Sequence, residues 1–158
     1  MYLKSMLCLI LLSSNCLGQK ALIIKQPQLT NLLTQKNDTT YIINFWATWC
    51  KPCINELPHF RNVEAEHKGE KIQFLYISLN FKREIDSVLN KFLKLNNFNS
   101  TVYLIDEPDY NSWIEKVDKT WQGNIPATVI YNSSKNKRNF FDRELNETEL
   151  SSELLKFQ

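Results

Sequence analysis

Phe45-Trp46-Ala47-Thr48-Trp49-Cys50-Lys51-Pro52-Cys53 is the stretch on which the fold turns. Together with the preceding Tyr41-Ile42-Ile43-Asn44 it makes residues 41–47 β-branched and aromatic, the composition of a buried central strand. From Pro52 the pattern changes. Ile54, Leu57, Phe60, Val63 and Glu64 recur at a spacing of roughly 3.6, which predicts a helix to about His67, ended by Gly69. A core strand therefore runs into Cys-x-x-Cys, and the second cysteine opens a helix. A thiol at a helix N-terminus meets unpaired backbone N–H groups and the positive end of the helix dipole. Both favour thiolate over thiol, so Cys50 is the expected nucleophile. Cys53, one turn in, is expected to be more buried and to attack a mixed disulfide that Cys50 forms. Pro52 suits a first helical turn, where its missing N–H costs nothing. Lys51 adds a positive charge beside the thiolate and favours the reduced pair.

Outward from this segment, strands and helices alternate. Residues 20–40 read as a short strand, a helix and a turn, and Ile72 to Leu79 as a second core strand. Ile85, Val88, Leu89, Phe92, Leu93 and Leu95 mark an amphipathic helix across 83–96. Thr101 to Ile105 is another strand, and Trp113, Ile114, Val117 and Trp121 suit a short helix closed by Gly123. Ala127 to Tyr131 and Lys137 to Phe141 form a hairpin, and Leu150, Leu154, Leu155 and Phe157 a C-terminal helix. This order predicts an α/β or α+β three-layer domain.

The chain's 158 residues suit one domain, and 43% hydrophobic with 23% charged residues excludes disorder. Nineteen Lys and Arg against seventeen Asp and Glu give a formal net charge of +2, too little to attract nucleic acid. With three glycines and no phosphate-cradling Gly-rich motif, nucleotide chemistry is excluded as well. Near the N-terminus, Lys4 and the apolar run Met6 to Leu12 read as an export signal rather than a spanning helix, with cleavage expected after Gly18. The alternatives are a buried N-terminal element and a lipoprotein leader ending before Cys16, which would place a lipid anchor there. Asn15 departs from the lipobox pattern, and simple secretion is preferred. Residues 19–158 are then the mature domain.

Four cysteines occur, and Cys8 and Cys16 fall in the leader. The mature domain keeps only Cys50 and Cys53, a pair closing too small a loop to stabilise the fold by chain entropy. Two alternatives compete with redox chemistry. A zinc site would need ligands beyond one Cys-x-x-Cys, and His59 and His67 on the following helix are not spaced to supply them. A purely structural disulfide is the other. No metal and no cofactor are expected.

The Trp-Ala-Thr-Trp-Cys-Lys-Pro-Cys run after a hydrophobic strand resembles the thioredoxin-like superfamily, in particular the exported bacterial TlpA/ResA type of thiol–disulfide oxidoreductase. Pro58 matches the proline that kinks the active-site helix, and Glu56 the acidic residue this type carries beside its active site. Asn44 stands where cytosolic thioredoxins have a buried Asp, and Ile125-Pro126-Ala127-Thr128 is similar to the loop whose cis-proline faces the cysteines. The resemblance covers most of residues 35–158. It implies a thioredoxin-like fold, a central mixed sheet flanked by helices, and a redox-active disulfide between Cys50 and Cys53. It further implies that Glu56 exchanges protons with Cys53, which requires partial burial; the alternative is a solvated helix carboxylate. Backbone groups of Ile125 beside a cis Pro126 would pair with an extended substrate segment, and Trp49 would form a lid over the disulfide. Trp46, Trp113 and Trp121 are expected in the core.

The function so implied is an exported thiol–disulfide oxidoreductase of the periplasm or envelope, reducing or exchanging protein disulfides and recharged by a membrane or envelope electron donor. The same fold could instead act as an oxidant that inserts disulfides, or as a non-catalytic binding or metallochaperone module. A thiol peroxidase is disfavoured because no Thr-x-x-Cys occurs. Residues 81–124 and the tail after 139 depart from the resembled pattern and leave the substrate open.

Overall fold

The structure is a computed structural model that describes residues 20–157, so the leader, Cys8 and Cys16 lie outside the described residues. Six strands form one mixed sheet: β1 (Leu22–Ile24), β2 (Thr40–Trp46), β3 (Ile72–Ser78), β4 (Val102–Ile105), β5 (Ala127–Asn132) and β6 (Lys137–Phe141), in the order β1-β4-β3-β2-β5-β6. The first four strands in that order run parallel, β5 runs antiparallel beside β2, and β6 antiparallel beside β5. Every residue of β2 is buried, as a strand covered on both faces requires.

Side-chain alternation along β2 sorts the layers. Phe45 points to one face, where Trp113 and Trp121 pack on its ring at centroid distances of 6.2 and 4.9 Å. Trp46 points to the other and meets Phe92 and Phe98 at 5.5 and 6.1 Å. Helices α1 (Gln26–Leu33) and α4 (Ile114–Val117) belong to the first layer, and α2 (Lys51–Glu66), α3 (Asn90–Leu95) and α5 (Glu147–Leu155) to the second. The three core tryptophans are thus buried as expected, at 1% exposure or less.

Two expectations change. The single helix expected across 83–96 is a 3₁₀ turn at Lys82–Glu84, a π turn at Ile85–Leu89 and only then α3. The π turn leaves Val88 exposed while Leu89 and Leu93 reach the core. The helix expected from Trp113 towards Gly123 stops at Val117; Asp118 then accepts from the Thr120 N–H and hydroxyl, holding a turn that carries Trp121 inward. Gly123 is needed there, because φ is +86° and a Cβ would sit 2.9 Å from Ile114 Cδ1.

Candidate functional site

The site forms where β2 ends and α2 begins. Cys50 is the N-cap of α2, so the helix opens one residue after the first cysteine, and Cys53 is its third residue. The two are joined as a disulfide with Cα atoms 5.3 Å apart. Cys50 Sγ accepts a hydrogen bond from the Cys53 N–H at 3.3 Å, one of the donors a helix N-terminus leaves unpaired. Cys50 keeps 6% exposure and Cys53 none, so solvent reaches the first cysteine and not the second.

Facing Cys50 from across the sheet is the start of β5. The Ile125–Pro126 bond is cis, and Ile125 O lies 3.6 Å from Cys50 Sγ. Pro126 is buried, Ile125 half-buried, and Trp49, next to Cys50 in the chain, is 60% exposed. The preceding loop is fixed by Asn80, whose Oδ1 accepts from the Thr48 N–H and whose Nδ2 donates to Thr48 Oγ1.

Glu56, one turn beyond Cys53 on the same helix, is fully buried. Its Oε1 accepts from Asn44 Nδ2 at 2.7 Å, and its Oε2 from the Leu145 N–H at 3.0 Å. Asn44 Nδ2 also donates to Thr128 Oγ1 at 3.1 Å, which ties the cluster to β5 two residues past Pro126. Burial pushes the Glu56 carboxyl up to about 7, against the pull of its two donors and with a small push from Glu144. Among the two sequence alternatives for Glu56, the structure has the buried carboxyl and not the solvated one.

Cys50, Cys53, Glu56, Trp49, Ile125 and Pro126 therefore come together at one end of the sheet. Thr128 and Leu145 complete the cluster and were not singled out as site residues from sequence. Thr128 lay within the quoted Ile125-Pro126-Ala127-Thr128 segment, whereas a backbone N–H carries no sequence signal at all. The histidines lie elsewhere. His59 Nδ1 is 3.7 Å from Glu147 and His67 Nδ1 3.0 Å from Glu70.

A Cys-x-x-Cys disulfide capping the helix after the central strand, opposite a cis-proline, defines a thioredoxin-like protein. The chain belongs to the AhpC/TSA family, whose model matches residues 18–136. It is similar to sporulation thiol-disulfide oxidoreductase A of Bacillus subtilis, 29% identical over 40% of this chain and 38% of that one. It is also similar to the thiol-disulfide oxidoreductase ResA of Oceanobacillus iheyensis, 42% identical over 24% of this chain and 20% of the relative. These matches thus span well under half the length of either relative. Its fold is shared by a thiol:disulfide interchange protein of the thioredoxin family from Chlorobium tepidum, with a TM-score of 0.61, 20% identity, and 75% and 79% of the two chains covered.

Proposed function

We propose that this protein is an exported thiol–disulfide oxidoreductase that reduces or exchanges disulfides of other proteins. The observation that carries the proposal is the asymmetry of the pair. The cysteine that keeps some exposure caps a helix, with its sulfur 3.6 Å from a backbone carbonyl, while its partner is sealed inside. Oxidoreductases among the relatives and the export signal read in residues 1–18 support the same reading.

In the reducing direction, the Cys50 thiolate attacks one sulfur of a substrate disulfide. A Cys50–substrate bond forms, and the other substrate sulfur leaves as a thiolate. Cys53 passes its proton to the Glu56 carboxylate and attacks Cys50 Sγ. The Cys50–Cys53 bond forms and the second substrate thiolate leaves, so the substrate gains the two electrons the pair loses. Backbone groups of Ile125 beside Pro126 hold the substrate segment, and Trp49 covers its outer side. A membrane or envelope donor returns two electrons to the pair, and the domain acts free, as residues 19–158, or, where the leader ends before Cys16, on a lipid anchor at that residue.

Insulin-disulfide reduction by residues 19–158 tests the mechanism. Cys50→Ser is expected to abolish it, and Cys53→Ser to accumulate mixed disulfides visible by mass; a Cys50→Ser protein with the wild-type rate rejects the proposal. The direction is tested by equilibrating the pair with dithiothreitol or glutathione. A potential near thioredoxin's, about −270 mV, supports a reductant, and one nearer −120 mV makes the protein an oxidant.

A further inference from the structure

Asn44 is a buried amide in β2, a strand buried along its whole length, and only half of it is used. Its Nδ2 serves two acceptors, Glu56 Oε1 and Thr128 Oγ1, while its Oδ1 has no partner among the described residues. A buried carbonyl oxygen without a donor is costly, so a well-packed core keeps one only for a reason. Leucine or valine would fill the position without that cost.

The chemistry of Glu56 supplies the reason. As a carboxylate it has only acceptors, and the amide must turn its NH₂ to it. As a carboxylic acid it carries an O–H that needs an acceptor. Thr128 Oγ1 is already receiving the amide, whereas Asn44 Oδ1 is free and lies on the other arm of the same side chain. Turning the amide by half a rotation exchanges the two arms. Oδ1 then accepts from the Glu56 O–H and from the Thr128 hydroxyl, and the NH₂ takes the unpartnered place. Each protonation state leaves one amide atom unpaired. The amide can therefore serve both states, the carboxylate more strongly because that bond is charge-assisted, which an apolar residue could do for neither.

We infer that Asn44 is the positioning residue of the proton-exchanging carboxyl: its amide turns over as Glu56 gains or loses its proton, offering a donor to the one state and an acceptor to the other. The inference rests on the oxidoreductase reading only for its purpose, since the turnover takes place in the resting disulfide form as well. No cation is among the groups that shift Glu56. From the loop before α5 it meets Glu144 and the Leu145 N–H, from β2 and β5 the uncharged Asn44 and Thr128. On its own helix, Cys53 is disulfide-bonded and His59 is turned towards Glu147. The Thr128 bond also gives the device reach, because it passes the amide's orientation to β5, the strand that follows Pro126.

Side-chain NMR of the oxidised full domain, residues 19–158, tests this without any turnover assay. The Glu56 carboxyl carbon and the Asn44 side-chain NH₂ are followed from pH 4 to 9, with Glu56→Gln to assign the first. The expected result is one midpoint shared by both groups, with the amide signals of Asn44 shifted between its two ends. In Asn44→Ala the carboxylate loses its side-chain donor, and the Glu56 midpoint is expected to rise by about one pH unit. Thr128→Val, which keeps the shape and removes the second partner of the amide, is expected to move it less. Asn44 signals that ignore the Glu56 titration, or a Glu56 midpoint unmoved in both variants, overturn the inference. Loss of insulin reduction in Cys50→Ser bears on the oxidoreductase reading alone, so failure of the one is told apart from failure of the other.

Discussion

Helix α2 presses a carboxyl towards the sheet near each of its ends, and the two are served in opposite ways. At the cysteine end, Glu56 is met by an amide and a backbone N–H, and no cation is among the groups that act on it. At the far end, Glu64 accepts from the hydroxyls of Ser100 and Tyr76, with the Arg61 guanidinium close enough to draw its carboxyl down. Burial raises both. At Glu64 the hydroxyls and the arginine oppose that rise, while Tyr76, itself deeply buried beside Glu64, is pushed well above the usual phenol range. Arg61 in turn is held by its bonds to the Asn96 and Asn97 carbonyls. One helix thus carries a carboxyl that burial raises to about 7 with no cation acting on it, and a second that cements the helix to the strand and loop behind it. The difference lies in what faces each as well as in depth, since Glu56 is fully buried and Glu64 half-buried.

The strongest way to break that contrast is to neutralise the two carboxyls separately. Glu56→Gln removes the proposed proton acceptor and should slow resolution by Cys53 on the order of 10²-fold, with the pH dependence near 7 flattened. Stability should move in a related fashion. The folded carboxyl titrates at about 7, above its ordinary 4.5, so ionisation costs stability in full above 7 and nothing below 4.5. Acidification across that window should stabilise the wild type by about 3 kcal/mol through this group alone, and Glu56→Gln should lose that gain. Urea unfolding at pH 8 and pH 4.5 measures it. Wild type and variant whose stabilities run parallel with pH would remove Glu56 from the titration.

Glu64→Gln is the matched control. The amide oxygen still accepts from Ser100 and Tyr76, so the loss should stay within about 1 kcal/mol. The pH profile of insulin reduction should keep its wild-type shape. A profile that shifts as much as in Glu56→Gln would mean that the two ends of the helix are one electrostatic unit, and the contrast drawn here would fail.

The sequence showed the two ends unequally, for a physical reason. Near the cysteines, function is written in residue types with few other uses: Cys-x-x-Cys, a proline before a strand, and a carboxylate one turn after the second cysteine. β2 and the β5–β6 hairpin were legible from composition, and periodicity placed α2 correctly, through Ile54, Leu57, Phe60 and Val63. It failed across 82–95, where Ile85, Leu89 and Leu93 reach inward at helical spacing although the backbone passes through 3₁₀ and π turns. Side-chain pattern reports which residues face the core and is blind to a hydrogen bond that skips by one. The donors that set Glu56 were hidden for another reason. Leu145 reaches the site through its N–H, and Asn44 meets Thr128 across a register that only the antiparallel pairing of β2 with β5 creates.

The smallest effect is expected where α2 ends. Gly69 follows the helix at φ +92°, in the left-handed region, and a Cβ built there meets nothing within 4 Å. Gly69→Ala therefore adds backbone strain and no collision, costing about 1 kcal/mol in urea unfolding. The insulin-reduction rate should stay at the wild-type value, since Gly69 lies beyond Glu64 and away from the disulfide. At Gly123 the same substitution meets Ile114 Cδ1 as well as the strain, so its cost should exceed that at Gly69. An equal cost at the two glycines would mean that Ile114 swings aside freely, and that the turn carrying Trp121 is looser than its packing on Phe45 and Trp113 implies.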